Sequence, residues 1–428
     1  MGDDAAPAGA AAAPPAPASA RVNGPRLWST LMEMAQVGAI AGDGVCRLAG
    51  SDEDRVGRDL FVDWCREAGL AVTVDRMGNV FALRAGRDRT AAPVLVGSHL
   101  DSQPTGGRFD GVWGVLAGLE VVRALDDAGI ETERGVQVVS WTNEEGARFA
   151  PAMLASGVFA GRFDLEYGLS RTDAGGRTLG DELVRIGYSG ELPCGGWAPA
   201  AYLEAHIEQG PILEAEGTAI GVVTGVQGIR WFDVGFRGAE AHAGTTPMDR
   251  RRDAMVAASR LVVAVDELAV RHAPDARCTV GVCTVSPASR NTVVGSAELT
   301  VDLRHPDAAT LEAMGAELGR LVEQCANAGG VSARLEEIWY SPPLRFDEAL
   351  VASVRRAAAD AGLSHRDIVS GAGHDACYLA GICPTAMVFI PCRSGVSHNT
   401  AEYAEPAAIE AGTQVLLGAV LEAAGRVG

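Results

Sequence analysis

The 428-residue sequence predicts an α/β protein with a mainly parallel sheet and an inserted, smaller ferredoxin-like (βαββαβ) domain. Three observations predict it. Helical and apolar strand-like segments alternate from about residue 21 to 211, the rhythm of a parallel sheet with helices on both faces. Near Gly217 the order changes to β-α-β-β-α-β, which is the ferredoxin-like motif. After Pro342 the first rhythm returns. The chain exceeds the ~100–200 residues of one domain. The expected division is an Ala/Pro-rich disordered tail over 1–20, a larger α/β domain over 21–216 and 341–428, and a small domain over 217–340.

The elements follow in order. Residues 27–39 and 54–68 read as helices, the second with Ser51 or Asp52 as N-cap. Residues 94–96 form a short apolar strand, and 114–128 are apolar at helical spacing. Residues 136–141 and 201–205 are further buried strands. Residues 220–236 read as a strand pair or one long bent strand. Helix 250–272, strands 278–285 and 297–304, helix 307–328 and strand 331–339 complete the small domain. Helix 348–361 and strand 386–390 close the chain.

Composition excludes several classes. The net charge of −19 offers no basic face for nucleic acid or an anionic membrane. No apolar run reaches the roughly 18–20 residues of a membrane span. The first twenty residues lack the basic and apolar regions of a secretory signal. The nine cysteines are odd in number and contain no Cys-x-x-Cys pair, so a reducing cytoplasm fits better than a disulfide framework.

The chemistry gathers at strand ends. Val94-Leu95-Val96 leads into His99 and Asp101, with Asp110 nine residues further on. Strand 136–141 leads into Glu144 and Glu145, strand 201–205 into His206, and strand 386–390 toward His398. Ligands of open α/β sheets bind outside the carboxyl ends of the strands. A lone His or Glu is more often structural, but here five of the eight histidines, His99, His206, His242, His374 and His398, follow strands in polar or Gly-rich segments. This is a row of metal-type ligands. Two ions about 3.5–4 Å apart can share one water, lower its pKa and polarise a carbonyl. Such a site needs a bridging carboxylate, for which Asp110 is the candidate, and one carboxylate left free to move protons. The adjacent Glu144 and Glu145 point in different directions at a strand end, so one can ligate while the other is the base. Asp101 is placed to accept the second N–H of His99 and so orient that imidazole.

Six motifs carry a resemblance. Gly-Ser-His-Leu-Asp (97–101), Gly-Gly-Arg-Phe-Asp-Gly (106–111), Thr-Asn-Glu-Glu-Gly (142–146), His-Ile-Glu-Gln-Gly-Pro (206–211), His-Ala-Gly-Thr-Thr-Pro-Met (242–248) and Gly-Ala-Gly-His-Asp-Ala (371–376) resemble the N-carbamoyl-amino-acid amidohydrolases. That group includes β-ureidopropionases and allantoate amidohydrolases, within the di-zinc peptidase and aminoacylase superfamily. The resemblance runs from about residue 25 to 425.

The resemblance implies one metal held by His99, Asp110 and His206, and a second by Asp110, Glu145 and His398. Two divalent ions per subunit are expected, zinc first, with Mn, Co or Ni as alternatives. It implies Glu144 as general base and later acid, and His242 as oxyanion donor, often from the partner subunit. Asn291 and Arg304 match positions that grip a substrate carboxylate, although Arg304 alone reads as a surface charge at a strand end. Gln209 and Gly373 match residues lining the carbamoyl group, with His374 and Asp375 in the same loop. Superfamily peptidases usually carry a carboxylate where His206 stands, which points to the carbamoylase branch. The sequence departs from many relatives at Ser-Arg-Asn-Thr-Val-Val-Gly (289–295) and at Asn399 beside His398.

The reading is a cytoplasmic amidohydrolase that cleaves an N-carbamoyl-L-amino acid or N-carbamoyl-β-alanine to the amino acid, ammonia and carbon dioxide through a metal-bridged hydroxide. Allantoate hydrolysis is the alternative, a dipeptidase or aminoacylase a more distant one. A module that binds without catalysis is disfavoured because ligands and base are all present. The partners expected are a small carbamoyl or ureido acid and a second copy, paired through the small domain acting as a lid. No nucleic-acid or membrane partner is expected.

Overall fold

A computed structural model describes residues 20–427. The tail expected over 1–20 lies outside the described residues except for Ala20, which is buried against the core.

A nine-stranded sheet forms the larger body. Its four central strands run parallel to one another in the order Thr385–Ile390, Ala201–Ile207, Val94–His99, Val136–Trp141. These strands are almost wholly buried, which suits near-continuous apolar runs covered on both faces.

The sheet is mixed, which corrects the expected mainly parallel one. Val80–Arg84 runs antiparallel to Val136–Trp141, and Ala71–Val74 antiparallel to Val80–Arg84. Ile220–Val226 runs antiparallel to Thr385–Ile390 but parallel to His365–Ser370. For Ala71–Val74 and Val80–Arg84 the physical reason is connection length. Only a tight turn separates Ala71–Val74 from Val80–Arg84, and parallel strands need a long crossover. Asp75 holds that turn by accepting the main-chain N–H groups of Met77 and Asn79.

Three helices form one packed group against the large sheet. Gly24–Met34, Val112–Asp127 and Pro406–Ala424 pack on one another, and Trp113 Nε1 donates to Thr413 Oγ1 at 3.0 Å. Pro406–Ala424 is the one helix among the described residues long and apolar enough to cross a membrane, although Glu410, Gln414 and Glu422 keep it from being an unbroken apolar run. It is half buried and packs on Val112–Asp127, Glu348–Asp360 and the sheet, so its apolar character serves the core.

The region read as a strand pair or one bent strand is two strands in two sheets. Ile220–Val226 ends in the large sheet, Gln227 turns the chain, and Gly228–Arg237 begins a second sheet. That second sheet is antiparallel in the order Arg277–Ser286, Ser296–His305, Gly228–Arg237, Ser332–Ser341. Helices Ala254–Arg271 and Ala308–Gly329 are capped by Asp253 and Asp307. They pack on the sheet to bury a separate core around Phe232, Phe236, Leu261, Leu299 and Leu318. The βαββαβ order read from the sequence is therefore present as a small antiparallel unit.

Candidate active site

Two groups of metal-type ligands share one residue. His99, Asp110 and His206 form the first group and Asp110, Glu145 and His398 the second; within each group the ligand atoms lie within 4.8 Å of one another. These are the five ligand positions implied by the motifs.

Main-chain contacts aim the two strand-end imidazoles. His99 Nδ1 lies 2.9 Å from the Asp101 carbonyl oxygen, and His206 Nδ1 3.0 Å from that of Ile207. A carbonyl only accepts, so each Nδ1 carries the proton and each Nε2 turns a lone pair inward. His206 Nε2 is 3.1 Å from Asp110 Oδ1; His99 Nε2 is 3.6 Å from Asp110 Oδ1 and from Glu144 Oε2. His398 Nε2 sits 3.4 Å from Asp110 Oδ2 and 3.3 Å from Glu145 Oε2.

The role expected of Asp101 is corrected. Its carbonyl, not its carboxylate, orients His99; the nearer carboxylate oxygen is 3.9 Å from Nδ1. The carboxylate instead accepts the main-chain N–H groups of Glu144 at 3.1 Å and Glu145 at 3.2 Å. Two residues after His99, the chain has already left the strand, so the backbone carbonyl reaches the ring first. Asp101 therefore pins the turn on which both glutamates stand. Glu144 then faces His99 while Glu145 faces His398 and accepts from Gln103 at 2.8 Å.

Electrostatics favour a cation here. Burial pushes the Glu144 carboxyl well above the usual carboxylate range and raises Glu145 as well. Burial disfavours a charged His99, yet the carboxylates of Glu144, Asp110 and Asp101 outweigh it and hold that imidazole well above its ordinary value. Asp110 is buried too, but contacts from His206, His398 and His99 hold it well below the carboxylate range. Inward imidazole lone pairs facing carboxylate oxygens need a proton or a metal ion between them. Imidazole and carboxylate donors around a shared carboxylate fit two borderline divalent ions.

The chain bends sharply to reach this arrangement. Asn143, Gln209 and His398 adopt left-handed φ values of 59°, 56° and 53°, and such outliers cluster where function over-determines the backbone. Gly111, at φ +66°, lets the chain pass the first ligand; a Cβ there would lie 2.3 Å from the His99 ring.

The remaining expected residues are distributed as follows. Gln209 Nε2 donates to Asp110 Oδ2 at 2.9 Å and to Ser397 Oγ at 3.1 Å, so its amide touches the shared carboxylate. Gly373 sits in the 371–375 loop against Met153. His374 is turned inward: it is 2 % exposed, its Nε2 pairs with Ser370 Oγ at 3.0 Å, and its ring centroid is 4.5 Å from that of His206. It backs a ligand instead of facing open space. Asp375 is fully buried beside it. His242 stands on the small unit, in a two-stranded pairing of Ala241–His242 with Thr292–Val293 that brings Asn291 alongside. His242 Nδ1 accepts from the main-chain N–H of Gly244 at 3.0 Å and Thr245 at 3.2 Å, which leaves Nε2 as the protonated, exposed donor. Arg304 is already paired: Nε and Nη2 donate to Asp302, and Nη1 to the Gly371 carbonyl at 3.2 Å.

Two supporting residues were missed. Glu402 Oε1 accepts the main-chain N–H of Phe109 and Asp110, and the Ser397 hydroxyl, with one proton to give, lies within hydrogen-bond distance of both Asp110 Oδ2 and Glu402 Oε2. Neither lies at a strand end, and only the close approach of Gly107 gives a trace: a Cβ there would lie 2.0 Å from the Glu402 carboxyl carbon.

Comparison with known proteins gives the lineage. The model of peptidase family M20/M25/M40 matches residues 95–422. An N-carbamoyl-L-amino-acid amidohydrolase of Rhizobium meliloti is 50 % identical, covering 94 % of this chain and 97 % of the relative. One from Geobacillus stearothermophilus is 37 % identical over 92 % of this chain and 97 % of the relative. The crystal structure of a hydantoinase/carbamoylase family amidase from Burkholderia multivorans superposes with a TM-score of 0.92 at 60 % identity, covering 95 % of this chain and 98 % of that one. With both the motif-bearing core and the small unit matched along nearly their whole length, the chain belongs to the M20/M25/M40 peptidase family, in its hydantoinase/carbamoylase branch, and is a hydrolase.

Proposed function

We propose that this enzyme hydrolyses an N-carbamoyl-L-amino acid to the free amino acid, ammonia and carbon dioxide. The observation that carries the reading is the pair of ligand groups joined at Asp110 with Glu144 left free beside them. The family is metal-dependent, and His99, Asp110 and His206 would hold one ion and Asp110, Glu145 and His398 the other, zinc fitting these donors best. When bound, such ions supply Lewis-acid polarisation of a carbonyl and an acidified water.

The chain's own residues do the rest. Glu144 takes a proton at its inward carboxylate and returns it to the departing nitrogen. Its burial raises its proton affinity, which suits a group that must hold a proton briefly near neutral pH. His242 Nε2 offers a hydrogen bond to the developing oxyanion, and its Nδ1 contacts fix the tautomer that can donate. Gln209 keeps Asp110 aligned and lines the carbamoyl end. Arg304 and Asn291 hold the substrate carboxylate, which takes over guanidinium N–H groups that otherwise serve Asp302 and the Gly371 carbonyl. His242, Asn291 and Arg304 lie on the small unit, so its closure over the ligand groups completes the site and excludes water. The same unit is the proposed dimer surface.

The test is ammonia release by metal-reconstituted protein. The substrates are N-carbamoyl-L-amino acids, N-carbamoyl-β-alanine, allantoate and a dipeptide, with Glu144→Ala run in parallel. Activity on N-carbamoyl-L-amino acids that disappears in the variant supports the reading. Activity confined to allantoate or the dipeptide overturns it.

A further inference from the structure

The mechanism leaves one apolar feature of the small sheet unused. Trp231 and Trp339 are cross-strand partners on Gly228–Arg237 and Ser332–Ser341, with ring centroids 6.3 Å apart and planes tilted by 39°. They are 42 % and 50 % exposed. The opposite face of the sheet buries Phe232, Val234 and Phe236 under the two helices. Scattered exposed apolar residues need no explanation, but two adjacent indoles on one open sheet face form a patch.

The strand register gives this patch its neighbours. Trp231 stands opposite Asp302, and Arg304 opposite Ile229. Side chains alternate along strands, so Trp231, Asp302 and Arg304 share the open face, as the bond from Arg304 Nε to Asp302 requires. Diagonal neighbours of this kind lie about 7–8 Å apart, within reach of a long or aromatic side chain. Arg304 in turn touches the catalytic body. Its Nη1 donates to the carbonyl of Gly371, and the same loop carries His374 to the back of His206.

We propose that Trp231 and Trp339 form the subsite for the substrate's side chain, and that the enzyme prefers N-carbamoyl-L-amino acids with an aromatic side chain. The inference rests on the proposed function, specifically on Arg304 holding the substrate carboxylate. In an α-amino acid the side chain branches from the carbon bonded to that carboxylate. A carboxylate seated on Arg304 therefore presents the side chain about one residue position away, where Trp231 stands. Offset or edge-to-face contact with the indoles stabilises an aryl group beyond its area alone. A β-amino acid has an unsubstituted carbon there and gains nothing from the indoles.

The test compares kcat/KM of the metal-loaded enzyme for N-carbamoyl derivatives of L-tryptophan, L-phenylalanine, L-alanine, L-aspartate and β-alanine. Wild type, Trp231→Ala, Trp231→Phe, Trp339→Ala and Arg304→Ala are measured. Wild type is expected to favour the aromatic substrates over alanine by about tenfold or more. That ratio is expected to collapse in Trp231→Ala, chiefly through KM, and to return in Trp231→Phe. Trp339→Ala, on the edge strand, gives the same readout if Trp231→Ala does not fold. A wild type with no aromatic preference, or variants that lose all substrates equally, would overturn the subsite and assign the indoles to domain closure or subunit contact. Arg304→Ala separates the two readings. If it raises KM for every substrate while the tryptophan variants show no discrimination, only the subsite fails. If it changes no KM, or wild type cleaves no carbamoyl compound, the underlying reading fails and the subsite with it.

Discussion

Glu402 accepts the main-chain N–H of Asp110 at 3.1 Å, so a buried acid behind the site fixes the one residue common to both ligand groups. Burial, reinforced by the charge of Asp110, pushes the Glu402 carboxyl up to about 7. Ser397 links the two carboxyls from the side.

Removing this support should loosen the metal without unfolding the protein. Outer partners of ligands typically change affinity by about 10–100-fold. Glu402→Ala is expected to show that loss in a titration against a competing chelator, with an unchanged circular dichroism spectrum. Wild-type affinity in the variant would mean that Asp110 is held by the rest of its loop.

His242 is expected to separate catalysis from metal binding. It belongs to the small unit, its Nδ1 is held by the main-chain N–H groups of Gly244 and Thr245, and its Nε2 is left as the donor. Loss of one oxyanion donor costs about 10²–10³ in kcat. His242→Ala should show a drop of that order with a normal metal content by elemental analysis. A variant that loses metal would refute the assignment.

A salt-bridge cluster built on Arg148, three residues beyond Glu145, titrates with pH. Glu182 accepts from Arg185 and from Arg148, and Arg148 also reaches the Ala49 carbonyl. The hydrogen bond from Arg185, with help from Arg148 and against a burial penalty, holds the Glu182 carboxyl down at about 2, from an ordinary 4.5. A depressed carboxyl contributes stability above its unfolded pKa and loses it as pH falls toward the folded one. Hydrogen bonds to charged groups are worth about 1.5–3 kcal/mol. Glu182→Gln should therefore be destabilised by about that amount at pH 7 in urea titrations, and the gap to wild type should close between pH 4.5 and 2. A gap independent of pH would mean the charge of Glu182 is irrelevant.

Much of this site is legible in the sequence because strands announce where they end. His99, Glu145 and His206 each follow a continuous apolar run, and such runs in a sheet deliver their next polar residues to one edge. The βαββαβ order is legible for the same reason: strand and helix periods differ strongly over 228–341. What could not be read depends on three-dimensional return. The antiparallel pairing of Ala71–Val74 with Val80–Arg84 follows from a short turn, which apolar periodicity does not register. Asp101 acts through its carbonyl and a distant turn, and no side-chain spacing encodes a carbonyl direction. Glu402 meets Asp110 across 292 residues. His374 has the residue type of a ligand, but its loop turns the ring inward against His206.

The two ligand groups differ in how firmly they are walled in. His99, Asp110 and His206 are all buried, the histidines at the ends of central strands, whereas the His398 side chain is 49 % exposed on a left-handed loop residue. Retention should follow that asymmetry. An ion in the first group would be enclosed by three buried residues, while one in the second would meet a half-exposed histidine on a loop. Dialysis would then leave the protein between one and two ions per chain. The readily exchanged position would take its metal from the surrounding pool, so the identity of the second ion would reflect supply as much as affinity.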